Sequence, residues 1–456
     1  MDKNFYPPEG TDEFLTDDST RIVPVAPEEY LPQDSAAELP VNEEPEASAP
    51  MEHDPLDNAD VLPTLFPEMP YDEDEEVYAE PTVVQRPVQK KKSTTRKVLR
   101  VFVVLGKYLL GLVLAAAILA AGLIGYLTLT EYNPAHAELA QRGAVSSPDK
   151  LSEKSLRILS FNTGFGALDE DADFFMDGGS MVNPDSQTRV EENMRGIEEI
   201  LREADADFLL LQEVDTDSDR TFHLNQWLQY EYDLKDYESR YAPNYVCNYV
   251  PYPIKDMIGK VNSGIATYSR YDISSATRYS LPNPFSWPTR VANLKRCMLV
   301  TRIATGDENA PELVLVNVHL EAYDDGEGKA AQTEQLMEFI EAEYEKGNYI
   351  IVGGDFNQLF PGTEREYPLK ETSDWMPTNL ESMPAGWHYA YDDSIPTCRL
   401  LNQPYDPSSK LTQYYVIDGF LVSPNVKVVS VKTLDEGFVY SDHNPVLLEV
   451  SLELGE

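Results

Sequence analysis

Two patterns of apolar residues divide this chain. From Tyr108 to Thr130 the sequence YLLGLVLAAAILAAGLIGYLTLT contains no charged residue. As a helix, these 23 residues would span about 34 Å, enough to cross the hydrocarbon core of a bilayer. From about Leu156 onward, short apolar runs alternate with amphipathic segments. The first pattern predicts a transmembrane helix over residues 108–130, and the second predicts a globular domain over residues 154–456.

The globular part combines strands with helices. Val190, Met194, Ile197 and Leu201 recur at helical spacing, which predicts an amphipathic helix. Apolar residues run together or alternate, as in strands, in the stretches LRILSFNT, DFLLLQEVD, GIATYSR, ELVLVNVHLEA, YIIVGGDFN, YYVIDGFLVS and YSDHNPVLLEV. This mixture indicates an α/β domain of roughly 300 residues.

Charge is distributed unevenly before the apolar run. Residues 1–88 hold 24 acidic and 3 basic residues and many prolines. Such a composition cannot bury enough apolar surface to offset its ordering entropy, which predicts a disordered tail over residues 1–89. A basic segment, residues 90–107, follows. Because basic residues flank transmembrane helices on the cytoplasmic side, we expect the tail in the cytoplasm.

The same rule places everything after Thr130 outside the cytoplasm, at a cell membrane that the chain crosses once. Residues 131–153 are predicted to be a polar linker. Protein partners of the tail are not indicated by its sequence, and a plain solvated tail is the simpler interpretation.

The composition of the whole chain excludes some classes of protein. The formal net charge is −43, with no basic stripe of the kind that nonspecific nucleic-acid binders use. The three cysteines, Cys247, Cys297 and Cys398, allow at most one disulfide and have no zinc-site spacing. A disulfide-built scaffold is therefore excluded.

Polar side chains interrupt the apolar runs at one kind of position, at or near the end of a predicted strand. A charged side chain among buried apolar residues is costly unless it is paired or binds a metal. The repetition of this feature in six strands predicts a common polar cleft. The residues concerned are Asn162, Glu213, His319, Asp355, Asn357, Asp418, Asp442 and His443.

The composition of this predicted cleft indicates a type of metal. Its donors are carboxylates and amides, without thiols or clustered histidines. Hard oxygen ligands suit Mg²⁺ or Mn²⁺, with Ca²⁺ as a further option, rather than Zn²⁺. Such an ion with two histidines nearby is typical of phosphoryl chemistry, since both offset charge on a pentavalent phosphorus.

The order of the motifs resembles a known family. FNT, LQEVD, NSGIATYSR, VNVHLEA, GGDFN, IDGFLVS and SDHNPV follow one another as in the endonuclease/exonuclease/phosphatase superfamily. The resemblance covers about residues 155–453. It implies a four-layer sandwich in which two packed mixed β-sheets are flanked by helices. It also implies a hydrolase that acts on phosphoester bonds and depends on Mg²⁺ or Mn²⁺.

The resemblance implies roles on the metal and water side of the site. Glu213 resembles the family's metal-binding glutamate, and Asn162 resembles a residue that supports the same metal site. Asp442 resembles a second carboxylate on that side. Asp355 resembles the carboxylate that activates or orients the attacking water, and Asn357 resembles a group that orients the phosphate.

It also implies roles on the phosphate side. His319 resembles the family's phosphate-contacting histidine, and His443 resembles its second catalytic histidine. Asp418 resembles the carboxylate that holds the tautomer of that histidine, in agreement with the need of an imidazole for such a partner. Arg296 resembles an arginine that contacts the phosphate, although a surface arginine is an equally good interpretation.

Other features are open to more than one interpretation. At the position where abasic-site endonucleases of the family carry aspartate, this chain has Gly164, which disfavours that branch. The stretch FFMDGGSMVNPDSQ, residues 174–187, is long enough to line a cleft. Seven tyrosines between Tyr230 and Tyr252 are expected to pack in loops, stack on a substrate or rest at a lipid interface. His223 and His388 are expected to be structural or surface residues.

Together these features predict a membrane-anchored, metal-dependent phosphoesterase. Its substrate would be a lipid head group, a nucleic acid or a small phosphate compound. Three alternatives remain open: an extracellular nuclease similar to deoxyribonucleases, a lipid hydrolase similar to sphingomyelinases and phospholipases C, and a catalytically inactive scaffold. The retained carboxylates and histidines argue against the scaffold.

Overall fold

The structure, a computed structural model, describes residues 94–143, 149–151, 155–307, 309–324, 326–370, 375–380, 383 and 385–452. The predicted acidic tail lies outside the described residues.

Four α-helices occur in the described residues: α1 (Thr94–Leu129), α2 (Gln187–Ala204), α3 (Gln226–Asp233) and α4 (Glu327–Glu345). The strands, in chain order, are β1 (Ala137–Leu139), β2 (Gln141–Arg142), β3 (Ser155–Asn162), β4 (Phe208–Asp215), β5 (Glu238–Val250), β6 (Gly259–Ser269), β7 (Ile273–Ser280), β8 (Cys297–Ala304), β9 (Glu312–His319), β10 (Tyr349–Asp355), β11 (Gln358–Leu359), β12 (Thr378–Asn379), β13 (His388–Ala390), β14 (Cys398–Arg399), β15 (Tyr414–Tyr415), β16 (Asp418–Val422), β17 (Val426–Thr433) and β18 (Val446–Leu452). Short 3-10 helices lie at Gly164–Gly166, Phe175–Asp177, Asp219–Thr221, Thr289–Ala292 and Thr363–Arg365.

Most of the strands form two mixed seven-stranded sheets. The first sheet has the order β1-β7-β8-β9-β10-β16-β13, and the second has the order β17-β18-β3-β4-β6-β5-β2. In each sheet one central pair is parallel, β9 with β10 and β3 with β4. The carboxyl ends of these four strands carry His319, Asp355, Asn162 and the Glu213 region. The topology therefore collects the predicted polar residues from both sheets.

Three apolar layers hold the sheets and helices together. Strand residues such as Ile158 and Leu315 fill the space between the two sheets. On the outer face of the second sheet, Leu209 packs with Ile197 of α2. On the outer face of the first sheet, Ile340 of α4 packs against the strands. Each fully buried leucine or isoleucine contributes roughly 1.5–3 kcal/mol to folding. The predicted four-layer α/β sandwich is confirmed.

The segment before the sandwich differs from its prediction. The apolar helix α1 begins at Thr94, so part of the predicted basic segment, including Arg96 and Lys107, lies on the same helix. Residues Arg96–Leu129 are long and apolar enough to cross a membrane. The predicted linker 131–153 contains β1 and β2, which pair with β7 and β5 at an edge of each sheet. Backbone pairing ties this segment to the sandwich, a contact that its polar composition did not indicate.

The cysteines make no disulfide. Cys247, Cys297 and Cys398 are all buried and free. Each therefore packs as a small apolar side chain, and the sandwich is held by its apolar layers and by the strand pairing.

Candidate active site

A cavity of about 270 Å³ opens where the carboxyl ends of the central strands of both sheets meet. Seven of the nine residues predicted for the site line this cavity: Glu213, Arg296, His319, Asp355, Asn357, Asp442 and His443. The other two, Asn162 and Asp418, are buried directly behind it, in hydrogen-bond contact with lining residues. The structure thus brings together residues that are up to 281 positions apart in the chain.

Asn162, the last residue of β3, is the centre of this group. Its Nδ2 donates to Asp355 Oδ2 at 3.0 Å and to Glu213 Oε1 at 3.4 Å, and it lies 3.4 Å from His443 Nε2. Its Oδ1 accepts a hydrogen bond from the backbone N–H of Gly164 at 3.1 Å. In this orientation Asn162 supports the two carboxylates by donating to them. Its predicted contribution to metal binding stays a prediction.

Glu213 is aimed into the cavity by an irregularity of β4. The register with β6 shifts between Leu211 and Val214, and Glu213 has a φ of +56°, which is uncommon for a residue other than glycine. A bulge of this kind turns a side chain away from the regular alternation of a strand. Burial raises the pKa of the Glu213 carboxyl, against the lowering effect of Arg220.

Asp355, the last residue of β10, lies between the two histidines. Its Oδ2 is 3.5 Å from His319 Nε2 and 3.8 Å from His443 Nε2, and its Oδ1 accepts from the backbone N–H of Asn357 at 2.8 Å. Burial, followed by the charge of Asp418, raises the pKa of Asp355 to about 6. This carboxylate is therefore a stronger base than an ordinary aspartate.

The turn after Asp355 depends on two unusual backbone conformations. Gly354 has a φ of +154°, and a Cβ at this position would collide with the carbonyl of Val318 on β9. Asn357 has a φ of +50°, and its Nδ2 donates to the carbonyl of Leu320 at 2.9 Å. Asn357 therefore reaches the cavity from a left-handed turn beyond the strand.

His443 and Asp418 form a buried pair. Nδ1 of His443 lies 2.8 Å from Asp418 Oδ2, while Nε2 faces the group around Asp355. Burial alone would lower the pKa of His443, but the negative charge of Asp418, which also accepts its Nδ1–H, raises it well above its ordinary value. The imidazole is consequently held as a cation, with Nδ1–H donated to Asp418.

His319, the last residue of β9, is in the opposite situation. Burial, together with the positive charges of Arg296 and His443, holds the pKa of His319 well below its usual range. Its Nδ1 has no hydrogen-bond partner among the described residues. His319 is therefore a neutral imidazole at physiological pH.

The carboxylates around Asn162 have the character of a cation site. Burial raises the pKa of Asp442 to about 7, with a further contribution from the charge of Glu213. Glu213, Asp355 and Asp442 thus face one cavity with raised pKa values. Bringing several buried carboxylates together is costly, and a divalent cation with oxygen ligands removes that cost. The residues present fit a hard divalent ion.

Two other groups of metal-ligating atoms include His443. Oxygen, nitrogen and sulfur atoms lie within 4.8 Å of one another in the set Cys398, Asp442 and His443, and in the set Asp355, Asp418 and His443. Burial raises the pKa of the Cys398 thiol to about 12, so it is protonated and a poor ligand for a hard ion. In the second set, His443 Nδ1 is occupied by its hydrogen bond to Asp418. Neither set coincides with the predicted ligands.

Arg296 lies just before β8 and is buried against the cavity. Its Nε is 3.9 Å from Glu321 Oε2, and its Nε and Nη1 have no hydrogen-bond partner among the described residues. A buried guanidinium with free N–H groups is suited to donate hydrogen bonds to a phosphate bound in the cavity. The surface alternative is wrong for this arginine, because its side chain is buried.

The cavity also contains arginines that the sequence did not single out. Arg220 makes two hydrogen bonds to Asp215, at 2.9 and 3.0 Å, and lies over the ring of Phe165. Arg399 is fully buried and donates to the carbonyl of Asp169. Both line the cavity. No pattern in the sequence indicates either arginine, because neither stands at the end of a long apolar run. Only their contacts in the folded chain reveal them.

The other residues considered in the sequence either line the cavity or lie away from it. From the predicted cleft loop, Phe174, Met176 and Asp177 line the cavity. His223 is exposed and paired with Asp217 and Asp219, outside the cavity lining. His388 is exposed on β13, at the edge of the first sheet. Of the seven tyrosines, only Tyr245 lines the cavity.

Comparison with known proteins identifies a matching family. The family described as "Endonuclease/Exonuclease/phosphatase family" matches residues 159–443. No curated protein matches this chain.

Several solved structures resemble it at low sequence identity. An endonuclease/exonuclease/phosphatase from Beutenbergia cavernae DSM 12333 is 16% identical, with 66% of this chain and 72% of that chain covered and a TM-score of 0.46. A second, from Bacteroides vulgatus, is 18% identical, with 66% and 100% covered and a TM-score of 0.42. ANGEL2, described as a 2′,3′-cyclic phosphatase, is 16% identical, with 70% and 100% covered and a TM-score of 0.44.

Proposed function

Because the chain belongs to the endonuclease/exonuclease/phosphatase family, whose members are hydrolases of phosphoester bonds, we propose that it is a divalent-metal-dependent phosphoesterase anchored to a membrane. The observation that carries the proposal is the arrangement around Asn162. One amide nitrogen contacts Glu213, Asp355 and His443, and the cavity beside it also contains a buried arginine with free donors. An inactive scaffold has no use for this collection of buried charges.

Glu213 and Asp442 would hold the metal ion, and Asn162 would support them. When bound, the ion supplies positive charge to the phosphate and to the attacking oxygen. Mg²⁺ or Mn²⁺ fits the oxygen donors, and the neutral thiol of Cys398 gives no reason to expect zinc.

The protein side chains would divide the reaction as follows. Asp355 accepts a proton from water, whose oxygen forms the new bond to phosphorus as the bond to the leaving oxygen breaks, and the leaving oxygen takes a proton from the surrounding water. Nε2–H of the His443 cation donates to an oxygen of the phosphoryl group. Arg296 donates its free N–H groups to the phosphate, and Asn357 orients it. His319, being neutral, hydrogen-bonds the phosphate without adding charge.

The anchor would be α1. Its basic residues, such as Arg100 and Lys107, lie in its N-terminal half, and the sandwich follows its C-terminal end. This asymmetry supports a sandwich that lies outside the cytoplasm. Protease treatment of intact cells should therefore digest the sandwich domain; its protection until the membrane is permeabilised would reverse the topology.

Hydrolysis assays on the full-length protein in detergent test the proposed reaction. Soluble phosphomonoesters and phosphodiesters, together with plasmid DNA, would be supplied with Mg²⁺ or Mn²⁺. We expect turnover that a chelator abolishes and that His443→Ala lowers by about 10²- to 10⁴-fold.

The matched control is His388→Ala, which removes an exposed histidine from the edge of the same fold. It should retain full activity. If the protein binds the metal but hydrolyses none of these compounds, the proposal that it hydrolyses such phosphoesters is contradicted. The absence of both metal binding and turnover would favour the scaffold.

A further inference from the structure

The end of α1 is packed onto the sandwich. Leu127 is buried in an apolar cluster with Val250, Ile258 and Val291, and Leu123 packs against the same cluster one turn earlier. The helix contacts β5 and the 3-10 helix Thr289–Ala292. The last turns of the helix and the sandwich thus share one core, which fixes the direction in which the sandwich faces the membrane.

Polar contacts hold the same junction. Glu131, directly after the apolar run, lies 2.9 Å from Arg290 Nε and 3.2 Å from Lys295 Nζ. Thr128 accepts a hydrogen bond from the indole N–H of Trp287 at 3.1 Å. These contacts join the helix end to the segment between β7 and β8, with a carboxylate shared by two cations. Rotation of the sandwich about the helix would break all of them.

Exposed apolar side chains lie on two segments that meet this junction, the one after β5 and the one between β7 and β8. The exposed fractions are 56% for Trp287, 59% for Tyr252 and 81% for Ile254. Tyr252 follows Val250 of the cluster, and its ring lies 5.7 Å from that of Phe175, which packs on the cluster. We call Tyr252, Ile254 and Trp287 the interfacial face.

The level of this face follows from α1. The uncharged run of the helix ends at Thr130, so Thr128 marks the boundary between hydrocarbon and head groups. The indole N–H of Trp287 is bonded to Thr128, and tryptophan and tyrosine are the residues that favour this boundary. A bilayer that contains α1 therefore meets this face at Trp287.

The active-site cavity borders the same junction. Ile258 and Tyr245 belong to the cluster or pack against it, and both also line the cavity. Phe285 and Leu294, on either side of Trp287 in the chain, line the cavity as well. One wall of the cavity is therefore the wall that faces the helix end.

We propose that the interfacial face rests on the bilayer crossed by α1 and presents the cavity to its head groups, so that the substrate is a phosphoester carried by a lipid. The substrate class rests on the proposed hydrolase function, and the position of the face rests on α1 crossing the membrane. The phosphate enters beside the cavity wall while the acyl chains remain in the leaflet.

Fluorescence quenching tests the position of the face without any assay of activity. The full-length protein would be placed in phosphatidylcholine vesicles with brominated acyl chains. The chain has four tryptophans, and of these Trp227 and Trp387 are buried and Trp375 lines the cavity. We expect quenching that is largely lost in Trp287→Phe, with unchanged flotation and melting temperature. Equal quenching in both proteins, or none in the wild type, would overturn the proposal.

Hydrolysis tests the substrate class. Phosphatidic acid and phosphatidylcholine in vesicles would be compared with glycerol 3-phosphate and glycerophosphocholine, which have the same head groups without acyl chains. We expect Ile254→Ser to lower turnover of the vesicle substrate about tenfold and leave the hydrolysis of a soluble phosphoester within about twofold. Hydrolysis of soluble phosphoesters alone by the wild type would overturn the lipid assignment.

A control variant separates this face from apolar exposure in general. Val429 is also 56% exposed, but it lies on β17, at the opposite edge of the second sheet from β5 and β2. Val429→Ser should change neither quenching nor turnover; an effect equal to that of Ile254→Ser would contradict the proposal. If the wild type hydrolyses none of these compounds, the proposed function fails, while quenching still decides the position of the face.

Discussion

The surroundings of His443 and His319 differ sharply although both histidines are buried in the same cavity. His443 has Asp418 at 2.8 Å and a pKa well above its ordinary value. For His319, burial and then the positive charges of Arg296 and His443 hold the pKa well below that value. Burial disfavours the cation in both places, so the neighbouring charges decide the protonation state. One residue type thus supplies a cation on one side of Asp355 and a neutral donor or acceptor on the other.

The largest effect is expected from removing the carboxylate between the two histidines. Asp355→Asn keeps the size of the side chain but removes its charge and basicity. We expect kcat to fall by about 10²- to 10⁴-fold, measured on any compound that the wild type hydrolyses. Asp393→Asn, an exposed acid after β13, is the matched control and should be silent. A fall of less than tenfold would remove Asp355 from the reaction.

A smaller effect should follow when the partner of His443 alone is changed. Asp418→Asn retains the contact geometry but removes the negative charge that keeps His443 protonated. We expect kcat to fall by about 10- to 100-fold. Ring nitrogen chemical shifts should then report a neutral His443 at pH 7 and an unchanged His319. A His443 that remains a cation in this variant would contradict the account of its charge.

The smallest effect should come from the positive charge beside His319. Arg296→Lys retains the charge that lowers the pKa of His319 but loses the second N–H group available to a phosphate. One hydrogen bond contributes about 1 kcal/mol, so KM should rise roughly fivefold with little change in kcat. Steady-state kinetics measure both constants.

The control for that prediction lies on the adjoining strand. Arg302, on β8, pairs with Glu312 and Glu343 and does not line the cavity. Arg302→Lys should leave KM unchanged. If both variants change KM equally, Arg296 acts through the stability of β8 and not through the phosphate.

Much of the fold was predictable because its signals are local. The buried run of β4 and the helical spacing of α2 are short-range patterns of apolar residues. The edge strands β1 and β2 were not predictable, because a two- or three-residue strand has too short a pattern and depends on backbone pairing with a distant strand. The extension of α1 into the basic segment was missed because charge, not helix propensity, set the predicted start.

The sequence by itself predicted which polar residues the fold brings to one cavity, because most of them stand at or near the end of an apolar strand. Tertiary structure alone decided how these residues are charged and oriented. The charge of His443, the bulge that aims Glu213 and the place of Arg220 in the cavity depend on neighbours brought together by the two sheets. The orientation of the sandwich relative to α1 depends on the packing of Leu127 against Val250, Ile258 and Val291. Electrostatic and packing energies fall off over a few ångströms in space, and distance along the chain does not measure that separation.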